Sequence, residues 1–239
     1  MQCYSAVVDL LLHPPDDPGR HRPDARGRLS TVGHAAAFRA FARVAKDAGI
    51  RFMVIGGTFR DVAVRATSTR DIDIVLIDQR ELPAASMRAA GFTRVPRSPY
   101  AWRYTAGDRP VDLEIAAVAS SAEAGGPFSV AFQHAQTTTI ERVKVAVPRI
   151  EDYIILKLLA AAADLRRRSR DLTDVQYALE AFPEHARGVV LSGSDSARGV
   201  LSVAGVRARL RDLYGVTDSR LKDLVALFRE VRRRTTRDS

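Results

Sequence analysis

Between Val54 and Ile77 the chain reads VIGGTFRDVAVRATSTRDIDIVLI, and this stretch constrains the fold more than any other. Arg51 to Ile55 is a short apolar run that stops at Gly56-Gly57, the pattern of a buried strand entering a tight turn. Glycine at such a turn lets a backbone or a phosphate approach closely. Thr58 is placed to cap a short helix running to about Arg65, and Arg70 to Ile77 returns as a second strand. Side chains alternate along a strand, so Asp71 and Asp73 share one face, ~6.5 to 7 Å apart along the chain, while Ile72 and Ile74 turn into the core.

Two carboxylates on one face of an apolar strand repel each other and resist desolvation unless a cation sits between them. Oxygen donors select a hard divalent ion, Mg²⁺ or Mn²⁺. Arg109 to Ala116, RPVDLEIA, supplies a third carboxylate on another alternating strand, where Asp112 and Glu114 share a face. Two ions held ~3.5 to 4 Å apart activate an attacking hydroxyl and steady a leaving pyrophosphate in displacement at phosphorus. Asp71 and Asp73 would bind both ions, with Asp112 completing one shell and positioned to act as base. Arg103 and Arg109 offer Asp112 an ordinary ion pair instead, and Glu114 suits solvent.

A glycine pair, a short helix, T-x-D-I-D from Thr69 to Asp73, and a later lone acid on a strand resemble the DNA polymerase β-like nucleotidyltransferase superfamily over roughly Arg51 to Ala116. Downstream, Lys157-Leu158-Leu159-Ala160 and Arg170-Asp171-Leu172-Thr173-Asp174 are similar to the AbiEii/MenT-like toxin nucleotidyltransferases. That resemblance implies that Lys157 contacts a triphosphate and that Asp171 or Asp174 supports the site. It further places Gly56, Gly57, Arg65 and Thr69 around the nucleotide. Thr67 stands two residues before Thr69, where the family often has arginine, and the nearest arginine is Arg65. The implied activity is transfer of a nucleoside monophosphate from an NTP to a hydroxyl acceptor, the 3′ end of tRNA, by the toxin of a toxin–antitoxin pair. An antitoxin protein is then an expected partner.

The chain has 37 Lys plus Arg against 28 Asp plus Glu, a net charge of +9. That surplus suits a polyanion, and guanidinium groups suit bidentate phosphate contact. Arg166 to Arg170 and Arg232 to Arg234 are the densest clusters, and the first is the better candidate for gripping RNA. Arginine-rich, alanine-rich composition also arises from a GC-rich genome. The single cysteine, Cys3, excludes an internal disulfide and a thiolate zinc cluster, and a reducing cytoplasm fits. No apolar run approaches the ~20 residues of a membrane span. Two rival functions remain at this level: an aminoglycoside- or lincosamide-modifying nucleotidyltransferase, against which the basic surplus argues, and a non-catalytic RNA- or protein-binding domain.

The expected architecture is α+β: a small mixed sheet flanked by helices, with a helical C-terminal part. The sequence divides into an irregular arm at 1–30, rich in Pro, Gly and charge, a core at 31–148 and a helical region at 149–239. A helix over Val32 to Ala48 carries Phe38, Phe41, Ala42 and Val44 on one stripe. Glu81 to Ala90 reads as helix, Tyr100 to Thr105 and Arg109 to Ala117 as paired strands, and Ala119 to Pro127 as a small-residue loop. Thr137 to Ile140 and Val143 to Val147 form a hairpin-like pair. Helices are expected at about 150–165, 170–182, 196–213 and 218–234. Tyr100, Trp102 and Tyr104 share a strand face, where core packing is favoured over base stacking.

Overall fold

A computed structural model describes residues 29, 31–65, 69–77, 82–96, 98, 100–106, 110–117, 126–181 and 201–237. Except for Leu29, the arm expected at 1–30 lies outside them, as does most of the loop expected from Ala119 to Pro127. The chain divides between Val147 and Pro148 into two compact units.

The first unit opens with α1 (Val32–Asp47), which starts at Thr31, whose hydroxyl accepts the His34 N–H at 3.2 Å, as N-cap chemistry requires. Phe38 and Phe41 on its inner face are fully buried and meet the Phe52 ring edge-on at 6.3 and 4.9 Å. This aromatic cluster fastens α1 to β1 (Phe52–Val54). Next come α2 (Gly56–Phe59), a π-helical turn (Arg60–Val64), β2 (Asp71–Leu76) and α3 (Ala84–Ala89). They are followed by β3 (Phe92–Arg94), β4 (Ala101–Tyr104), β5 (Val111–Ala117), α4 (Pro127–Gln133), β6 (Gln136–Ile140) and β7 (Val143–Val147). The fold class is α+β as the sequence implies, and the seven strands form one mixed sheet ordered β3-β4-β5-β2-β1-β7-β6. Among the described residues, only β2 with β5 and β1 with β7 run parallel.

Burial along β2 follows its alternation. Ile72 and Ile74 are buried, whereas Asp71 and Asp73 are partly exposed on the other face. Trp102 packs in the core under the Arg94 guanidinium, 4.3 Å from the ring centroid. Two elements differ from the sequence reading. β3 is too short to show a period, and Pro127, read as the end of a loop, instead occupies the first helical turn of α4, where its missing N–H costs nothing. Thr58 is also not a cap: Ile55 takes that place and Thr58 lies inside α2.

The second unit contains α5 (Ile150–Ala163), α6 (Arg168–Ala181), α7 (Val203–Asp212) and α8 (Asp218–Arg237). α5 is apolar almost all round, yet it carries three buried charges, Glu151, Asp152 and Lys157. Each requires an explanation, because an uncompensated buried charge is strongly destabilising. Asp152 accepts from Arg209 Nε and Nη2, both at 3.0 Å, and from the Tyr214 hydroxyl at 2.8 Å. Lys157 Nζ lies 2.9 Å from Asp171 Oδ1 and 2.6 Å from Asp174 Oδ2, which clamps α5 to α6.

Glu151 is less well served. Among the described residues its carboxyl oxygens meet no hydrogen-bonding side chain and Arg209 is 3.6 Å away, so burial pushes its pKa from 4.5 up to about 7. Between those values the folded chain holds a proton that the unfolded chain has released, so stability falls as pH rises through this window. The accumulated penalty is about 3 kcal/mol at 1.4 kcal/mol per pH unit. Glu151→Gln is expected to be more stable than the wild type above pH 7 and equal to it below pH ~4, the unfolded carboxylate range. Urea unfolding across a pH series measures this; parallel curves for the two proteins would contradict it.

Candidate active site

The glycine turn and the D-x-D strand are joined by a dense set of short hydrogen bonds. The Ile55 N–H donates to the Asp73 carbonyl at 3.1 Å, and the Asp73 N–H donates to the Thr58 hydroxyl at 2.9 Å. Thr69 Oγ1 donates to the Asp71 carbonyl at 3.0 Å. The Gly57 N–H donates to Asp73 Oδ2 at 2.6 Å, a charge-assisted bond of the stronger kind. Asp73 is thereby aimed by the turn beside it.

This arrangement accounts for both glycines. Gly56 has φ +59°, and a Cβ there would come within 2.5 Å of Asp73 Oδ2; a Cβ on Gly57 would come within 2.6 Å of Thr69 Oγ1. By sequence the diglycine leaves room for a backbone or phosphate. In the structure that room faces the Asp73 carboxylate and the Thr69 side chain. Thr58 joins the site through a partner that lies across the turn, and its position directly after the diglycine is the one signal of this in the sequence.

Strand register then brings the third acid in. In the parallel pair of β2 and β5, Asp71 is opposite Asp112 and Asp73 is opposite Glu114, so four acidic residues occupy a two-by-two patch of one sheet face. Arg103 on β4 is opposite Asp112 and grips it bidentately, Nε to Oδ1 at 2.6 Å and Nη2 to Oδ2 at 2.9 Å. The hydrogen bond to Asp112 and its charge hold the Arg103 pKa above its usual value.

Among the described residues, no three His, Cys, Asp or Glu side chains are gathered as a metal's ligands would be. In donor type and backbone register, Asp71, Asp73 and Asp112 nevertheless fit a hard divalent cation. The competitor for Asp112 is Arg103, and an ion pair between half-exposed side chains is weakly held.

Lys157, Asp171 and Asp174 belong to the second unit, where they meet one another. The Lys157 side chain is 9% exposed and the Asp171 side chain is fully enclosed. Arg65 is exposed at the end of the π-helical turn. Arg166, Arg167 and Arg170 are exposed near the start of α6, and Arg168 donates through Nε to the Ala161 carbonyl at 3.1 Å, satisfying one of the open carbonyls at the end of α5. No described helix is long and apolar enough to cross a membrane.

The fold has a class: it is nucleotidyltransferase-like. A solved structure that shows this is an antigenic nucleotidyltransferase-like protein from Paracoccidioides brasiliensis, similar at a TM-score of 0.52 over 83% of this chain and 94% of that one. The two sequences are 16% identical, a level at which the likeness concerns the fold alone. No protein-family model matches the chain, and no curated protein does.

Proposed function

We propose that this chain is a metal-dependent nucleotidyltransferase that moves a nucleoside monophosphate from an NTP to a hydroxyl acceptor and releases pyrophosphate. The observation that carries this reading is the register that sets Asp112 opposite Asp71, two residues from an Asp73 aimed by the Gly57 N–H, on a nucleotidyltransferase-like fold. Asp71, Asp73 and Asp112 would hold Mg²⁺ or Mn²⁺. A divalent ion there supplies charge stabilisation of a phosphoryl group and lowers the pKa of a bound hydroxyl. Of the chain's own groups, the Gly57 N–H and Thr58 hydroxyl orient Asp73, and Arg103 governs how freely Asp112 engages.

The acceptor we infer is the 3′ end of tRNA, with the protein acting as an AbiEii/MenT-like toxin restrained by an antitoxin. The net charge of +9 supports a nucleic-acid acceptor over an aminoglycoside, which is itself cationic. One observation favours a second reading: the bidentate hold of Arg103 on Asp112 suits a domain that keeps the fold and binds RNA without transfer.

Incubation of the protein with Mg²⁺, each labelled NTP in turn and either total RNA or an aminoglycoside or lincosamide separates these readings. A labelled tRNA-sized band with at least one NTP is the expected result. Label on an aminoglycoside or lincosamide but not on RNA points to the antibiotic enzyme. RNA retained on the protein with no label transferred points to the binding domain.

A further inference from the structure

The first unit holds a second feature, at the opposite end of β1 from the diglycine turn. β1 runs antiparallel to β2 with Phe52 opposite Leu76, so Arg51 lies at the far end of the strand from Gly56, about 16 Å away at 3.3 Å per residue. There a cavity of about 700 Å³ opens between α1, α4 and the β6–β7 hairpin, lined by Arg43, Lys46, Arg51, Arg142 and Lys144 together with Phe132. No carboxylate is among its described lining residues. Arg51 lies over the Phe132 ring, 5.8 Å from the centroid.

The hairpin tip shows how the charges are sorted. Its two turn residues, Glu141 and Arg142, have φ of 48° and 66°, the left-handed conformation that two-residue hairpins normally assign to Asn-Gly. Side chains with a Cβ are strained there, and such strain concentrates at functional positions. Glu141 is drawn away from the cavity: its carboxylate accepts from Arg39 Nη1 at 2.8 Å and from the Leu29 N–H at 2.9 Å. Arg142 is left facing the cavity. An acid is thus removed from the lining and a cation installed, at the expense of a more relaxed turn.

We infer that this cavity binds a single-stranded segment of RNA, the phosphates meeting the five cations and a base stacking against Phe132 beside Arg51. A basic groove with an interposed aromatic ring is the recognition chemistry of single strands. The inference extends the proposed RNA acceptor by giving that RNA a second hold, distant from the carboxylates.

The test is binding of a fluorescently labelled 12-nucleotide RNA, followed by anisotropy without NTP or divalent cation, so its outcome is independent of whether transfer occurs. Arg43→Ala combined with Lys144→Ala is expected to weaken binding at least 10-fold at 0.1 M salt. The same pair is expected to lower the slope of log K against log salt by about 1.4, at ~0.7 for each phosphate no longer neutralised. Arg142→Gly is expected to weaken binding while leaving the thermal midpoint unchanged or raised, because glycine relaxes the turn. Phe132→Leu is expected to weaken RNA but not polyglutamate. Unchanged RNA affinity in folded Arg43→Ala/Lys144→Ala protein would overturn the inference. So would equal affinity for polyglutamate and RNA, which marks a general anion surface.

Discussion

Replacing Asp73 by asparagine is expected to lower nucleotide transfer by at least about 100-fold, the usual scale for removing one preorganised electrostatic group from a reacting site, while leaving the protein folded. An asparagine oxygen can still accept the Gly57 N–H that reaches Asp73 Oδ2 at 2.6 Å, so the turn keeps its internal bond and only the charge is lost. Asp73→Ala removes both and is expected to lose activity with some stability. The comparison is made by transfer of labelled NMP to RNA alongside circular dichroism. Wild-type transfer in the asparagine variant would remove the carboxylate from the chemistry and leave it a structural anchor for the diglycine turn.

Lys157→Met is expected to destabilise the second unit by about 3 to 5 kcal/mol, the range for removing one partner from a buried ion pair. Its ammonium is the cation between Asp171 and Asp174, both buried. Methionine keeps the aliphatic length and supplies no charge. Adding Asp171→Asn and Asp174→Asn in the same chain is expected to recover part of the loss, since neutral amides are less costly to bury than carboxylates. Thermal unfolding gives the answer, with a fall of more than about 10 °C for the single variant at roughly 4 to 8 °C per kcal/mol for a unit of this size. A lysine serving a triphosphate alone would leave the midpoint in place and raise the KM for NTP. The two roles therefore have different signatures in one pair of measurements.

Much of this arrangement could be read from the amino-acid order because it is local. The apolar run before Gly56-Gly57 and the alternation of Asp71, Ile72, Asp73 and Ile74 carry their own period, and β1 and β2 fall there. The hairpin of β6 and β7 and the helix starting at Ile150 were legible for the same reason. What escaped depends on partners distant in sequence or on segments too short to repeat. β3 spans three residues, and the π-helical turn at Arg60–Val64 leaves no distinct period. The Thr58 hydroxyl looks like a cap until β2 is laid beside it. Glu151 and Asp152 look like acids favoured at a helix start by the macrodipole; their burial becomes evident only when Arg209 and Tyr214 arrive from a later segment. Asp112 reads as a partner for Arg103 or Arg109; Arg109 lies outside the described residues, and β4–β5 register sets Arg103 opposite Asp112.

The parallel pairing of β1 with β7, Met53 opposite Ala146, also sets an order of events during synthesis. β1 is an internal strand, and one of its two neighbours is the last strand of the first unit to leave the ribosome. Closing so long a loop is entropically costly and slow. Until β7 arrives, one edge of β1 has no strand partner. A nascent chain halted before Val143 would present that unpaired edge to other chains, the condition under which strands aggregate.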